Sequence, residues 1–192
     1  MLPQDAQPQT QDFDASCVIW FTGLPGAGKT TLANRASEEL ARRGIPREVL
    51  DGDRFRSVHS PTLGYSREDR AVNVLRLAEA AADLAASGRV ALVAAIAPYE
   101  GLRREARQLV ERRARFVEVY VSTPLQVCMH RDPKGLYRRA VAGEIGLFTG
   151  VSDPYEPPLS PELDLDTTDV SVDESIGSLT EALQRLGLLR SP

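Results

Sequence analysis

Cys17-Val18-Ile19-Trp20-Phe21-Thr22-Gly23-Leu24-Pro25-Gly26-Ala27-Gly28-Lys29-Thr30-Thr31 is the stretch that decides the fold. Cys17 to Phe21 is an apolar run of strand length, Gly23 to Gly28 is a glycine-rich turn, and Lys29 to Arg43 has the spacing of a helix. The turn and the residues after it satisfy G-x-x-x-x-G-K-[ST] at every fixed position, in the strand–loop–helix setting that the motif's mechanism requires. Small residues let the backbone of Gly23, Leu24, Pro25, Gly26, Ala27 and Gly28 wrap a phosphate, while the helix N-terminus adds positive partial charge. Lys29 is then expected to hold the β- and γ-oxygens of a nucleotide, Thr30 to ligate Mg²⁺, and Thr31 to lie in the same site; the loop alone permits GTPases, ATPase motors and small-molecule kinases. A plain glycine turn before a helix is the competing reading.

Outward from this loop the chain alternates strands and helices. Gly44-Ile45-Pro46 stops the first helix, and Arg47 to Leu50 is a second strand ending in the charged turn Asp51-Gly52-Asp53. A helix is expected from Ser66, with Asp69 three residues on, to Ser87, with Val72, Leu75, Leu77, Ala81 and Leu84 as its apolar positions. Val90 to Ile96 suits a central parallel strand covered on both faces. A helix over Gly101 to Arg113, a strand over Arg115 to Val121, and a helix capped by Thr123 and opened by Pro124 follow. After a short basic helix, Leu136 to Ala142, the stretch from Gly143 to Pro161 is long and proline-rich, the habit of a lid. Leu163 to Thr168 and Val172 to Leu189 read as a last strand and a closing helix. The whole predicts an α/β fold, a parallel sheet of about five strands flanked by helices, with one domain over residues 16–190, a disordered tail over residues 1–15 and a mobile lid near residues 134–158.

Composition narrows the function. The chain has 192 residues, 42% hydrophobic, with 23 basic and 27 acidic side chains. That balance lacks the broad positive field of a non-specific nucleic-acid binder, and its longest apolar stretch, Val90 to Pro98, falls far short of a membrane span. Neither a nucleic acid nor a membrane is an expected partner. The two cysteines, Cys17 and Cys128, make no disulfide framework, which fits a cytoplasmic setting. Of the 23 basic residues only Lys29 and Lys134 are lysine. In a chain that otherwise uses arginine, a compact ammonium at these two places suggests a crowded phosphate pocket. Asp51 and Asp53, at a strand's end where ligands of open sheets gather, are candidates to hold Mg²⁺ and to orient an attacking hydroxyl; a solvated turn is the alternative. His59 and His130 are isolated and read as structural or solvated.

Six segments together carry a resemblance. Gly23 to Thr31; Leu50-Asp51-Gly52-Asp53 with Arg56; Leu63-Gly64-Tyr65-Ser66 with Asp69, Arg70 and Asn73; Arg131-Asp132-Pro133-Lys134-Gly135-Leu136-Tyr137; Phe148-Thr149-Gly150; and Asp153-Pro154-Tyr155-Glu156-Pro157-Pro158 resemble adenylyl-sulfate (APS) kinases, over about Ser16 to Thr168. The resemblance implies transfer of the ATP γ-phosphoryl group to the 3′-hydroxyl of adenosine 5′-phosphosulfate (APS), with Mg²⁺, by a homodimer. It implies Asp53 at the acceptor hydroxyl, Asp51 supporting the metal, and Arg131 at ATP. Arg56, Arg70 and Asn73 would grip the acceptor's anionic groups and ribose, Tyr65 and Phe148 would sandwich its adenine, and Ile96, Ala97, Lys134 and Leu136 would complete its site. The sequence departs from the family at Ala97-Pro98-Tyr99-Glu100, where Ser-Pro-Tyr-Arg is usual. Ala97 excludes a phosphoserine there and predicts direct transfer, and Glu100 is expected to reverse a charge beside the acceptor. A kinase of another hydroxyl compound, or a non-catalytic binder of APS or its product, stand as alternatives.

Overall fold

The computed structural model describes residues 17–190. The expected tail over residues 1–15 lies outside them. Five strands, β1 (Cys17–Gly23), β2 (Arg47–Asp51), β3 (Val90–Ala94), β4 (Arg115–Val121) and β5 (Leu163–Leu165), form one parallel sheet in the order β2-β3-β1-β4-β5. The helices are α1 (Lys29–Arg42), α2 (Gly52–His59), α3 (Arg67–Ala86), α4 (Glu100–Val110), α5 (Leu125–Arg131), α6 (Leu136–Val141) and α7 (Val172–Arg185). None of them is long and apolar enough to cross a membrane.

Strand alternation explains the two-sided core. Successive side chains of β1 point to opposite faces. Cys17, Ile19 and Phe21 join Leu32, Ala36 and Leu40 of α1 and Ile176, Leu179 and Leu183 of α7. Val18 and Trp20 join Leu77 and Ala81 of α3 and Leu102 and Ala106 of α4. Every residue of β1 is buried, because helices cover both faces and neighbours cover both edges. β1 takes the middle position, and β3 beside it is an interior strand buried along its whole length, as its apolar sequence predicts.

Other differences have local causes. Asp51-Gly52-Asp53 is not a free turn: the Asp51 carboxylate accepts from the backbone N–H of Asp53 (3.0 Å) and Arg54 (3.1 Å), and this cap starts α2, a helix the sequence did not announce. Ser66 does cap α3, accepting from Asp69 N at 3.1 Å, but the buried stripe runs through Val74, Leu77, Ala78, Ala81, Ala82 and Ala85, and Val72 is 41% exposed. The alanines face inward since α3 lies tight against α4 and the sheet. Pro124, not Thr123, caps α5; the Thr123 hydroxyl donates instead to Ala27 O (3.2 Å) beneath the glycine loop. Strand β3 ends at Ala94, α4 spans Glu100–Val110, β5 is only Leu163–Leu165, and α7 ends at Arg185, all shorter than or offset from their expected ranges.

Where β1 gives way to the loop, Gly23 has φ +146°, and a Cβ there would stand 2.4 Å from the Val121 carbonyl oxygen. Both terms exclude a side chain. Gly23→Ala should therefore cost well over about 1 kcal/mol, a fall in thermal midpoint of at least about 3 °C for a chain of this size. Scanning calorimetry checks this; an unchanged midpoint contradicts the packing described.

Candidate active site

One large cavity, about 890 Å³, opens at the C-terminal ends of β1, β2 and β3, where open α/β sheets place their ligands. Its floor is the glycine loop. Gly26 (φ +76°) and Gly28 (φ +107°) adopt left-handed conformations, so the chain curls back with Ala27 N donating to Leu24 O at 3.2 Å before α1 begins at Lys29. Lys29 is buried, and its Nζ donates to Gly23 O (2.9 Å) and Leu24 O (2.8 Å), so the ammonium stands over the hollow of the loop. Pro25, Gly26, Gly28, Lys29, Thr30 and Thr31 line the cavity. Gly23, Leu24 and Ala27 do not; they shape the loop from behind, with the Ala27 carbonyl held by Thr123 and Thr167.

Burial pulls the Lys29 pKa from 10.5 down to about 8, partly opposed by Asp53. The unfolded chain keeps this proton up to about 10.5, so the lysine's contribution to stability rises with pH between about 8 and 10.5. Binding of an anionic phosphate uses the charged form, so nucleotide affinity should move the other way. Titration with a non-hydrolysable ATP analogue should show Kd rising above pH 8, approaching about tenfold per pH unit. A flat profile from pH 7 to 9.5 would contradict the placement of this ammonium on phosphate.

Next to the loop, the Thr30 hydroxyl donates to Asp51 Oδ2 at 2.7 Å, while Oδ1 of the same carboxylate caps α2. The cap points Asp53, in the first turn of α2, into the cavity. There Asp53 meets Lys134, whose Nζ donates to Oδ2 at 2.8 Å. The pair is open to solvent, with side chains 65% and 76% exposed for Lys134 and Asp53, and the carboxylate holds the lysine's pKa above its usual value. Both lysines of the chain thus face the same cavity. Thr30, Asp51 and Asp53 supply hard oxygen donors, and the described residues hold no cluster of three or more His, Cys, Asp or Glu that could grip a metal alone. That donor set fits Mg²⁺, which keeps waters and takes ligands from phosphates.

Farther along the cavity a cationic and aromatic wall forms. Arg56 lies 4.8 Å and Arg70 5.6 Å from the centre of the Tyr65 ring, which is 59% exposed and so not a core aromatic. Arg56 is held by the carbonyls of Leu63 and Gly64, and burial pulls its pKa down. Arg70 is buried, donates to Tyr65 O (3.0 Å) and Leu147 O, and lies 3.7 Å from Asp153. Phe148 packs edge-on against Tyr137 at 5.1 Å, and the Tyr137 hydroxyl donates to Pro25 O at 2.9 Å, tying α6 to the glycine loop. Ile96 and Leu136 also line this side. Two expected residues do not: Ala97 is buried behind the wall, and Asn73 is buried on α3 with its Oδ1 unpaired among the described residues.

At the other end Arg131 donates to the Thr167 hydroxyl (2.8 Å) and carbonyl, and Thr167, Val170, Val172 and Ser175 complete the wall. None of these four was singled out in the sequence; no motif or period marks them. Glu100 corrects an expectation. It lies outside the cavity lining, paired with Arg103 at 2.7 Å in the first turn of α4, so its charge is spent on a neighbour and on the helix N-terminus rather than on the acceptor side.

The family model described as Adenylylsulphate kinase matches residues 15–166, most of the chain. The chain belongs to this family. An adenylyl-sulfate kinase of Rippkaea orientalis is 46% identical over 91% of this chain and 94% of its own length. Among solved structures, the Mycobacterium tuberculosis APS kinase CysC in complex with AMPPNP and APS matches with TM-score 0.86 and 43% identity, over 88% of this chain and 98% of that one. A hexameric APS kinase from Thiobacillus denitrificans matches with TM-score 0.70 and 34% identity, over 92% of this chain and 30% of that one. In this adenylylsulphate kinase the loop, the acidic pair and the cation–aromatic wall share one cavity, and Ala97 and Glu100 lie outside its lining.

Proposed function

We propose that this protein transfers the γ-phosphoryl group of ATP to the 3′-hydroxyl of adenosine 5′-phosphosulfate, giving 3′-phosphoadenosine 5′-phosphosulfate. The observation that carries this reading is the continuous run Lys29, Thr30, Asp51, Asp53, which leads from a phosphate-binding loop to a wall of Arg56, Arg70, Tyr65 and Phe148 within one cavity. Guanidinium forks match the paired anionic oxygens of a phosphosulfate, and the two aromatic faces hold a purine.

ATP lies with its phosphates in the glycine loop and its base toward Arg131 and Thr167. Thr30 and Asp51 would hold Mg²⁺, which supplies neutralisation of the phosphate charge. Lys29 aligns the β- and γ-oxygens. Asp53 orients the acceptor hydroxyl and takes its proton as the oxygen–phosphorus bond forms and the bond to the bridging oxygen of ADP breaks. Lys134 leaves Asp53 when the hydroxyl arrives and turns to the anionic oxygens. Ala97 has no hydroxyl to phosphorylate, so transfer is direct and positioning does most of the catalysis. Of the expected lid near residues 134–158 we read residues 134–152 as the part that moves to exclude water, since Asp153, Tyr155 and Glu156 are fastened to Tyr99, Thr22 and Arg103, and we read the enzyme as a cytoplasmic homodimer.

Incubation of purified protein with Mg·ATP and APS, followed by mass spectrometry and 3′-specific phosphatase digestion, tests the reading. Product with a new 3′-phosphate supports it. Turnover of other alcohols but not of APS would move the chain to a different acceptor, and no turnover of any would leave a binding protein.

A further inference from the structure

Three non-glycine residues among those described have left-handed backbone, and two of them flank the acceptor side: Ala97 (φ +42°) follows Ile96, and Leu147 (φ +51°) precedes Phe148. A residue before proline, such as Ala97, strongly disfavours that conformation, so something must hold it. Three successive carbonyls of this turn are taken by three different donors. Ile96 O accepts from the Thr22 hydroxyl at 2.6 Å, Ala97 O from Arg103 at 2.7 Å, and Pro98 O from the Glu156 backbone N–H at 2.7 Å. Leu147 O is in turn taken by Arg70.

One segment joins these donors. The Tyr155 hydroxyl donates to Thr22 at 2.9 Å, Arg103 donates to Glu156 O, and the Asp153 carboxylate accepts from Tyr99 at 2.9 Å and lies beside Arg70. Asp153 N also donates to Phe148 O at 3.1 Å. The Arg103 side chain is 1% exposed, and besides the two carbonyls it meets Glu100 at 2.7 Å and Glu118 at 3.1 Å. A buried guanidinium held between two carboxylates has one orientation available, which is what a strained turn needs from its holder.

We propose that Arg103, with the segment Asp153–Glu156 that it grips, is a positioning device that sets the acceptor-side wall, Ile96 and Phe148, and thereby acceptor affinity, without contact to either substrate. Arg103 is a positioning residue, since it lies behind the cavity and not on its surface. The glycine loop and the Arg131–Thr167 end do not depend on it, so ATP is held as before. This inference rests on APS as acceptor.

The test compares wild type with Arg103→Lys and Tyr155→Phe. A lysine has one nitrogen and cannot reach both carbonyls and both carboxylates at once, and the phenylalanine loses only the hydroxyl on Thr22. We expect KM for APS, and Kd for APS in the presence of a non-hydrolysable ATP analogue, to rise about tenfold or more in Arg103→Lys and about threefold in Tyr155→Phe. KM for ATP should stay within about twofold, and kcat should fall less than KM rises. Equal shifts in both KM values, or an unchanged APS affinity, would overturn the proposal. If Arg103→Lys does not fold by thermal melt, Tyr155→Phe alone decides. A wild-type enzyme that fails to bind APS at all would overturn the acceptor assignment itself, a result separate from one in which wild type and variants bind APS alike.

Discussion

Lys29→Ala should abolish phosphoryl transfer with any acceptor, a loss of at least about 10³-fold in turnover, the upper end of what removal of one preorganised charge-stabilising donor costs. The reason is geometric. The ammonium is buried over the hollow of the loop, with two of its protons on Gly23 O and Leu24 O, so its position is fixed before any nucleotide arrives. Among the described residues no other cation is held inside the loop: Lys134 lies at Asp53, and Arg131 at Thr167. Folding should survive, because the substitution also removes an ammonium whose burial is unfavourable enough to pull its pKa to about 8. A thermal melt separates loss of fold from loss of chemistry. Retained turnover in a folded variant would remove the loop from the reaction.

Asp53→Asn should lower kcat by about 10²-fold or more while the affinity for a non-hydrolysable ATP analogue changes by no more than a few-fold. Asp53 lies on the solvent-open side of the cavity, one helical residue beyond the cap that Asp51 makes, and among the described residues its side chain pairs with the exposed Lys134. An ion pair so exposed contributes little to stability, so the variant should melt with the wild type. Asparagine can still accept a hydrogen bond from the hydroxyl but cannot take its proton. Stopped-flow or quench measurement of a single turnover isolates the step. An unchanged rate would show that Asp53 neither orients nor deprotonates the acceptor.

How far the sequence reached depends on how local each feature is. The glycine loop was legible because its chemistry is written in eight consecutive residues, and the parallel α/β fold because strand and helix periods alternate along most of the chain. The two lysines were legible by rarity: they are the two places where a compact cation replaces arginine, and both face the cavity. What escaped was made by side chains acting on backbone. Asp51 turns an apparent Asp-Gly-Asp turn into a helix start by capturing two N–H groups, and Thr123 gives up its expected cap for a carbonyl far along the chain. Thr167, Val170, Val172 and Ser175 reach the cavity only because β5 lies beside β4 and α7 packs beside α1, contacts between segments that no spacing rule connects. Glu100 differs: its partner Arg103 is an i,i+3 neighbour on α4, a local pair, and what the sequence does not show is that the pair lies outside the cavity lining.

The most direct measurement is a crystal structure with a non-hydrolysable ATP analogue, Mg²⁺ and APS bound together. The γ-phosphate is expected in the loop under Lys29 and Thr30, and the acceptor's 3′-oxygen about 3 Å from an Asp53 carboxylate oxygen, in line with the γ-phosphorus. An acceptor seated elsewhere, or a 3′-oxygen turned away from Asp53 with the phosphates in place, would contradict it.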